Sequence, residues 1–403
     1  MTTVDASVES AKYAFATTTQ CKGAGMKGIL FGEKGEKGAP RIHVHFPGLG
    51  HMEAITEEGC GYKAENEDAI AWAKAPNGDV FLIDIDGMGG YANGKDAARF
   101  AAVNLVEFVI NGKAFDRAVE EVDLRMRQMF PEAGAAFVAA QISSASTAGD
   151  PPLARVYWAG DARLLILRKN ENMEWHWIYR SSDDSWAKEV IDSAIDEGTN
   201  EPSFRTQDIS LHPMGNILTN GLGKTDYQLN TTQHGEVPCD DADSLGYTTA
   251  EHLDTIPLQP GDLVVLFSDG VGDNYLKTQH LMHLLATAEN EKEVANRIYR
   301  ESIYNMTILE KARNSRVIER GQRYSFTYKG LLPHLRGKKL WADAGGTVWD
   351  HPDDGSVATK LKADNISVMT LMVSDGETAG SQTPSKRSWW GWLRSWFSGE
   401  VNG

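Results

Sequence analysis

The sequence predicts an α+β fold with mostly antiparallel sheets, and three observations support this prediction. Two apolar, strand-like segments, DAIAWA and VFLIDI, flank the turn-forming PNG at 76–78, which is typical of a β-hairpin. Apolar residues then recur at helical spacing in AARFAAVNLVEFVI, and a second helix is expected at 115–130. Further strand-like segments follow, so the order is strands, helices and strands, without a repeating βαβ unit.

The later strands are predicted from alternation and from buried apolar runs in AAFVAAQI, RVYWAGDARLLILR, LVVLF and NISVMTLMV. Residues 1–50 are rich in Gly and Lys around GEKGEKGAP, which predicts a loosely ordered N-terminal extension or an irregular entry into the core. His43 and His45 in IHVHF would face one side of a strand. Two surface histidines are favoured there over a metal site.

The composition excludes several classes of function. The chain has 403 residues and a net charge of −16, which argues against nonspecific binding to nucleic acid. The same charge leaves many carboxylates, and hard cations prefer oxygen ligands. The three cysteines form no CxxC pair, so a zinc site or a redox dithiol is not expected. Without a signal-peptide pattern or a membrane-spanning run, a cytoplasmic location is expected, with a peripheral membrane location through the C-terminal tail as the alternative. A monomer is a separate expectation.

Acidic residues stand at four strand ends or in the turns just after them. They are Glu67–Asp68 in NEDAIAW, Asp86 in IDIDGMGG, Asp269 in LFSDG and Asp364 in ADNISVM. A rigid sheet can bring side chains from strand ends to one site, where several carboxylates repel one another unless cations neutralise them. Glycine after Asp86 lets the backbone approach closely, so the Gly87 carbonyl is a further candidate ligand.

Six motifs in order resemble the metal-dependent protein phosphatase family, also called protein phosphatase 2C, and its bacterial members in particular. They are GYKAENEDAI, FLIDIDGMGGYANGKDAARFAA, VYWAGDARLLIL, ILTNGLG, LQPGDLVVLFSDGVGDNY and ADNISVMTL, between about 59 and 373. The resemblance implies a four-layer α-β-β-α sandwich, with two central, mostly antiparallel sheets flanked by helices. It also implies a catalytic domain at 51–375, with an insertion at about 305–358.

The resemblance further implies a metal-dependent phosphatase that acts on phosphoserine and phosphothreonine of protein substrates. Two Mn²⁺ or Mg²⁺ ions would share Asp86, one held by Glu67 and the Gly87 carbonyl, the other by Asp269 and Asp364. A water between the ions would be the nucleophile, oriented by Asp68, without a phosphoenzyme. Asp161 in AGDAR matches the ligand of a third ion, and a turn aspartate paired with Arg163 is an equal alternative.

The sequence departs from the family at three points. Lys63 stands where the family has an arginine that grips the substrate phosphate, so the charge is kept but the bidentate fork is lost. Met88 stands where animal relatives have a histidine, which leaves the leaving-group acid unassigned. The usual Gly-Thr-Thr is replaced within EAGAAFVAA. These departures keep open an alternative, a catalytically weak relative that binds phosphoproteins or acts as a membrane-associated regulatory module.

The C-terminal residues form a separate candidate surface. A linker rich in Gly, Ser, Thr and Lys is predicted at 376–388, followed by a Trp-rich tail at 389–403. Apolar side chains recur there at helical spacing, which favours either docking at a membrane interface or packing on a protein groove. The side chains are Trp389, Trp392, Leu393, Trp396 and Phe397.

Overall fold

Two antiparallel β-sheets face each other at the centre of the computed structural model. It describes residues 15–20, 25–32, 39–59, 65–89, 93–143, 150–186, 188–190, 217–239, 247–273, 278–352 and 356–374. In the first sheet the strand order is β1 (Phe15–Gln20), β2 (Met26–Phe31), β5 (Asp68–Lys74), β6 (Val80–Met88), β7 (Gly134–Ser143), β8 (Leu153–Ala159) and β11 (Asn230–Thr231); β14 (Ile256–Pro257) also pairs with β8.

The second sheet has eight strands, again antiparallel. Their order is β13 (Tyr247–Thr249), β12 (Glu236–Pro238), β10 (Trp175–Arg180), β9 (Arg163–Lys169), β15 (Leu263–Phe267), β20 (Ile366–Val373), β4 (Gly50–Glu57) and β3 (Arg41–Phe46). Alternate side chains of both sheets interlock in a buried core between them, where Trp72 and Trp158 are the largest members. This alternation is the two-residue period of a strand, with the opposite faces left for the helices.

Helices cover the outer face of each sheet. Helices α1 (Gly94–Ile110) and α2 (Phe115–Met129) pack on the first sheet through an alanine-rich core. The helices of the second sheet are α3 (Asp269–Gly272), α4 (Thr278–Leu285), α5 (Glu291–Arg313) and α6 (Arg316–Glu319), of which α4 and α5 supply most of the packing. A 3₁₀ turn spans Thr232–His234. The predicted α-β-β-α sandwich is therefore confirmed.

The first predicted elements are confirmed at close to their expected bounds. Strands β5 and β6 form the hairpin, with Ala69 opposite Ile85, and α1 and α2 follow. The early chain differs from the predicted extension, because β2 pairs with β5 and β3 pairs with β4. Both sheets thus take strands from residues before 51.

The segment RVYWAGDARLLILR forms two strands in different sheets. It breaks at Gly160, where the chain leaves β8 in the first sheet and enters β9 in the second. Gly160 has φ +102°, and an added Cβ would lie 2.5 Å from the Ala136 Cβ, so a larger residue does not fit. The alternation of the strands does not show this crossing, because it is the same on both sides of the glycine.

A smaller antiparallel sheet occupies most of the predicted insertion. Its strands are β16 (Tyr324–Thr327), β17 (Lys339–Ala342), β18 (Thr347–Trp349) and β19 (Val357–Lys360). The chain that follows β16 rests on α5, where Glu301 accepts hydrogen bonds from the Tyr328 hydroxyl and the Leu331 N–H. None of the helices in the described ranges is long and apolar enough to cross a membrane.

Candidate metal centre

The first sheet brings three of the predicted residues to one end. Asp68 begins β5 and lies directly opposite Asp86 near the end of β6, because a hairpin places the start of one strand beside the end of the other. Asp68 is 1 % exposed and Asp86 8 %. Glu67 precedes Asp68, and its carbonyl accepts the Gly87 N–H at 3.2 Å. We call this end of the two sheets the rim.

Glu67 and Gly87 present oxygens toward the same point. A Cβ added to Gly94, the first residue of α1, would lie 2.8 Å from Glu67 Oε1 and 3.2 Å from the Gly87 carbonyl oxygen. Gly87 is equally confined, since its own Cβ would lie 2.3 Å from the Gly94 carbonyl oxygen. The glycines that the sequence places around Asp86 therefore permit a close approach of a carboxylate and a carbonyl.

The second sheet supplies the other two predicted carboxylates at the rim. Asp269 is the first residue of α3, just beyond β15, and Asp364 lies two residues before β20. Strands β15 and β20 are neighbours, so these two ends lie side by side. Gly270 allows the contact, because an added Cβ would lie 1.8 Å from the Asn365 carbonyl oxygen and 3.3 Å from the Asp364 Cβ.

Asn365 joins the two sheets at the rim. Its Oδ1 accepts the Glu67 N–H at 2.9 Å, and its Nδ2 donates to the Glu58 carbonyl at 2.9 Å and the Glu65 carbonyl at 3.1 Å. The side chain is 1 % exposed, so these bonds form away from water. They place Asp364, the neighbour of Asn365, beside the loop that carries Glu67.

A second buried contact crosses between the sheets below the rim. The Ser367 hydroxyl of β20 donates to Asp84 Oδ1 of β6 at 2.6 Å. Asp84 is fully buried, and burial raises its pKa to about 7, against the lowering effect of the Ser367 hydrogen bond. Asp84 lies on the same face of β6 as Asp86, two residues away.

The side chain of Lys362 enters the part of the rim that carries Asp269 and Asp364, which we call the second half of the rim. Its Nζ donates to Asp269 Oδ2 at 2.8 Å and to Asp273 Oδ2 at 3.3 Å, and it lies 3.7 Å from Asp364 Oδ2. The side chain is 16 % exposed. Burial alone would lower the pKa of Lys362, but the three surrounding carboxylates raise it well above the usual value, so the amine is charged.

Asp161 lies in the same acidic region, at the crossing between β8 and β9. It is 5 % exposed, and burial raises its pKa well above the usual value, with Asp269, Asp273 and Asp183 adding to the effect. The neighbouring Arg163 forms a two-point contact with Asp183, at 2.7 and 2.9 Å, and reaches Asp273 at 2.9 Å. The guanidinium thus holds Asp183 and Asp273 together beside Asp161.

The donors at the rim fit a hard divalent cation at one of the two expected positions. Glu67, Asp86 and the Gly87 carbonyl offer oxygen ligands, as Mg²⁺ and Mn²⁺ prefer. Asp269 Oδ1 is buried and finds no hydrogen-bond partner among the described residues, although Lys362 is bound to Oδ2. No three His, Cys, Asp or Glu side chains within the described ranges are placed to hold a metal ion, and Lys362 stands between the second set of carboxylates.

Other predicted residues lie elsewhere. Lys63 and the tail with Trp389, Trp392, Leu393, Trp396 and Phe397 lie outside the described residues. His43 and His45 are exposed on one side of β3, where the ring of His45 stacks on His51 at 4.4 Å between centroids.

The residues that the sequence motifs do not indicate are Lys362, Asp84 and Asn365. Lys362 stands two residues before Asp364, and this spacing is the one local signal for its position. Asp84 interrupts the apolar run VFLIDI on its inner face, and Asn365 follows Asp364 as a common turn pair would. Their contacts with Asp269, Ser367 and Glu67 join segments distant in sequence, so no local pattern predicts those contacts.

Comparison with solved structures finds similarity to bacterial serine/threonine phosphatases. PstP/Ppp of Mycobacterium tuberculosis is 18 % identical with a TM-score of 0.47, over 81 % of this chain and 100 % of that chain. Stp1 of Staphylococcus aureus is 14 % identical with a TM-score of 0.49, over 83 % and 99 %. The catalytic domain of PstP in complex with two manganese ions is 18 % identical with a TM-score of 0.46, over 81 % and 99 %. No protein-family model and no curated protein matches the sequence.

Proposed function

We propose that this chain is a divalent-cation-dependent protein phosphatase that hydrolyses phosphoserine and phosphothreonine. The observation that supports this function is the meeting of carboxylates from two facing sheets at one rim. Asn365, the neighbour of Asp364, holds these carboxylates near one another through hydrogen bonds to the loop that carries Glu67. Sheet ends hold side chains rigidly, as a site for in-line displacement at phosphorus requires.

Each residue at the rim has a proposed task. Glu67, Asp86 and the Gly87 carbonyl would hold a Mn²⁺ or Mg²⁺ ion, and Asp269 and Asp364 are the ligands that the motif resemblance implies for a second. A bound cation would supply Lewis acidity, which lowers the pKa of water and offsets charge on the phosphoryl oxygens.

Asp68 and Lys63 would act on the water and the substrate. Asp68, buried beside Asp86, would orient the attacking water and accept its proton. Lys63 is the proposed grip on the substrate phosphate, and the third-ion role of Asp161 stays a prediction.

The test is hydrolysis of a phosphothreonine peptide with and without Mn²⁺. We expect activity that depends on the cation and falls by at least about 100-fold in Asp86→Asn and Glu67→Gln, because each loses a charged oxygen ligand. Glu65→Gln is the matched control, since Glu65 lies in the same loop but is exposed and paired with Lys95. Activity that persists in a chelator or in Asp86→Asn would rule out this function.

A second candidate function is supported by Lys362. A weak or inactive relative that binds phosphorylated proteins would keep the fold and use its cations to bind the phosphate group. The Lys362 ammonium, which lies among the carboxylates of the second sheet, is such a cation. The same assay separates the two functions. Binding of the phosphopeptide without turnover, with Mn²⁺ present, would favour the binding module.

A further inference from the structure

The position of Lys362 conflicts with a second divalent ion at the rim. Its Nζ lies within 4 Å of one oxygen from each of Asp269, Asp273 and Asp364. Asp269 and Asp273 stand at the two ends of α3, and Asp364 comes from the separate segment before β20. Mg²⁺ binds its oxygen ligands at about 2.0–2.1 Å, so it needs the point between these carboxylates for itself. The ammonium nitrogen already occupies that point.

The surroundings hold Lys362 in place. Lys362 precedes Asp364 by two residues, and its Nζ lies 3.7 Å from Asp364 Oδ2, so the two side chains turn to the same part of the rim. Most of its aliphatic stem is out of water, and the charged end is balanced by carboxylates. Withdrawal of the side chain would leave Asp269 and Asp364 facing each other without a counter-charge.

The charges in the second half of the rim are consistent with a lysine side chain that serves there as a permanent cation. Among the described residues, this region contains two cationic side chains, Arg163 and Lys362, and five carboxyl groups. The carboxyl groups are those of Asp161, Asp183, Asp269, Asp273 and Asp364. Arg163 is committed to Asp183 and Asp273, which leaves Lys362 as the described cation that contacts Asp269.

We propose that the ammonium of Lys362 takes the place of the second divalent cation, so that the centre binds one divalent ion, at Glu67, Asp86 and the Gly87 carbonyl. This inference refines the proposed function and rests on its assignment of the first ion. A single ion leaves Lys362 as the positive group that faces the substrate phosphate from the second sheet. The ammonium cannot lower the pKa of water as a cation with open coordination positions does, so its part is electrostatic.

The test is a count of bound Mn²⁺ per chain, from equilibrium dialysis with metal analysis and from the electron paramagnetic resonance signal of free Mn²⁺. We expect one ion in the full chain and two in Lys362→Met, which keeps the length of the stem and removes the charge. The spin-coupled signal of a Mn²⁺ pair should appear in the variant alone. Lys338→Met, at an exposed lysine, is the matched control and should bind one ion.

Two results would overturn the inference. One is a wild-type chain that binds two ions, one of which is lost in Asp269→Asn; this measurement does not require the Lys362 variant to fold. The other is a folded Lys362→Met chain that still binds one ion. The count is independent of phosphatase activity. One bound ion without turnover would contradict the proposed function and support the role of Lys362. Turnover with two bound ions would support the proposed function and contradict the role of Lys362.

Discussion

At the scale of single residues, Asp84 is a carboxyl group buried in the core, where it accepts a hydrogen bond from Ser367. The Ser367 hydroxyl bonds to Oδ1, and Oδ2 is buried with no hydrogen-bond partner among the described residues. A buried carboxyl in this position is most favourable when protonated, and its pKa of about 7 reflects this. Its proton therefore contributes to folding, and the contribution depends on pH.

The pH dependence of Asp84 has a definite sign. An aspartate in the unfolded chain has a pKa of about 3.9, so between pH 4 and 7 the folded chain keeps a proton that the unfolded chain releases. The stability from this group is fully present below pH 4 and is lost as the pH rises through 7, by up to about 4 kcal/mol. We expect Asp84→Asn to gain stability relative to wild type between pH 5 and pH 8, as measured by urea unfolding in a chelator. Parallel profiles for the two proteins would contradict this, and exposed Asp226→Asn is the control.

At the scale of elements, the small sheet depends on the long helix α5. Two helix side chains bind the turn after β16: Glu301 accepts the Leu331 N–H at 2.5 Å, and the Tyr304 hydroxyl accepts the Lys329 N–H at 2.7 Å. Gly330 between them has no space for a side chain, since an added Cβ would lie 2.7 Å from Glu301 Oε1. The turn is thus held by the helix, and its own Gly330 permits the close contact.

Glu301→Ala tests this dependence. The change would remove the carboxylate that accepts from both the Leu331 N–H and the Tyr328 hydroxyl, so we expect a loss of about 2–4 kcal/mol in the free energy of unfolding. Limited proteolysis should then cut within 324–360 faster than in wild type. Glu310→Ala, at an exposed position of the same helix, should change neither measurement. Equal cleavage of the two variants would show that the sheet holds its place without Glu301.

The Trp-rich tail is a second element with a testable role. If the predicted tryptophan face docks on lipid, the full chain should pellet with vesicles of anionic phospholipid, and a chain that ends at residue 385 should stay in the supernatant. Replacement of Trp389, Trp392 and Trp396 by Ser in the full chain separates the aromatic contribution from that of the basic residues. Equal pelleting of all forms would remove the membrane interpretation.

Local patterns predict some elements and not others, for physical reasons. The hairpin of β5 and β6 and the helix α1 are predicted well, because a turn signal and a strong periodicity lie within each segment. The carboxylates at the rim are predicted because each follows or precedes an apolar strand. The small sheet depends on Glu301, and the inward orientation of Lys362 depends on Asp269. Both partners lie far along the chain, so the local sequence of a single segment does not predict these contacts.

At the scale of the whole molecule, the two sheets that face each other across a shared core must meet in register for the rim to exist. Asn365 makes two of the bonds that set this register, to Glu67 and Glu65, and Asp84–Ser367 makes another. Their positions just inside the rim mean that a small shift of one sheet against the other would separate Glu67 from Asp364. The alignment of the site is therefore a property of the sandwich and not of either sheet alone.

Asn365→Ala tests this alignment. Loss of its bonds should leave the β5 loop free to move from β20, so we expect Mn²⁺ affinity to fall by about tenfold or more, with a smaller loss of thermal stability. Isothermal titration calorimetry measures the first quantity and thermal unfolding the second. Asn111→Ala, at an exposed position after α1, is the control. Unchanged affinity in a folded Asn365→Ala protein would mean that other contacts align the sheets.

Arg163 and Lys362 bear on how the protein is assembled in a cell. An acidic centre with no internal cations would repel itself until an ion arrived, and newly made chains would depend on the supply of manganese or magnesium to complete folding. Here two side chains of the chain itself offset much of that repulsion. Under the proposed function, we therefore expect newly synthesised chains to fold before they bind the divalent ion that activity requires, even where manganese and magnesium are scarce.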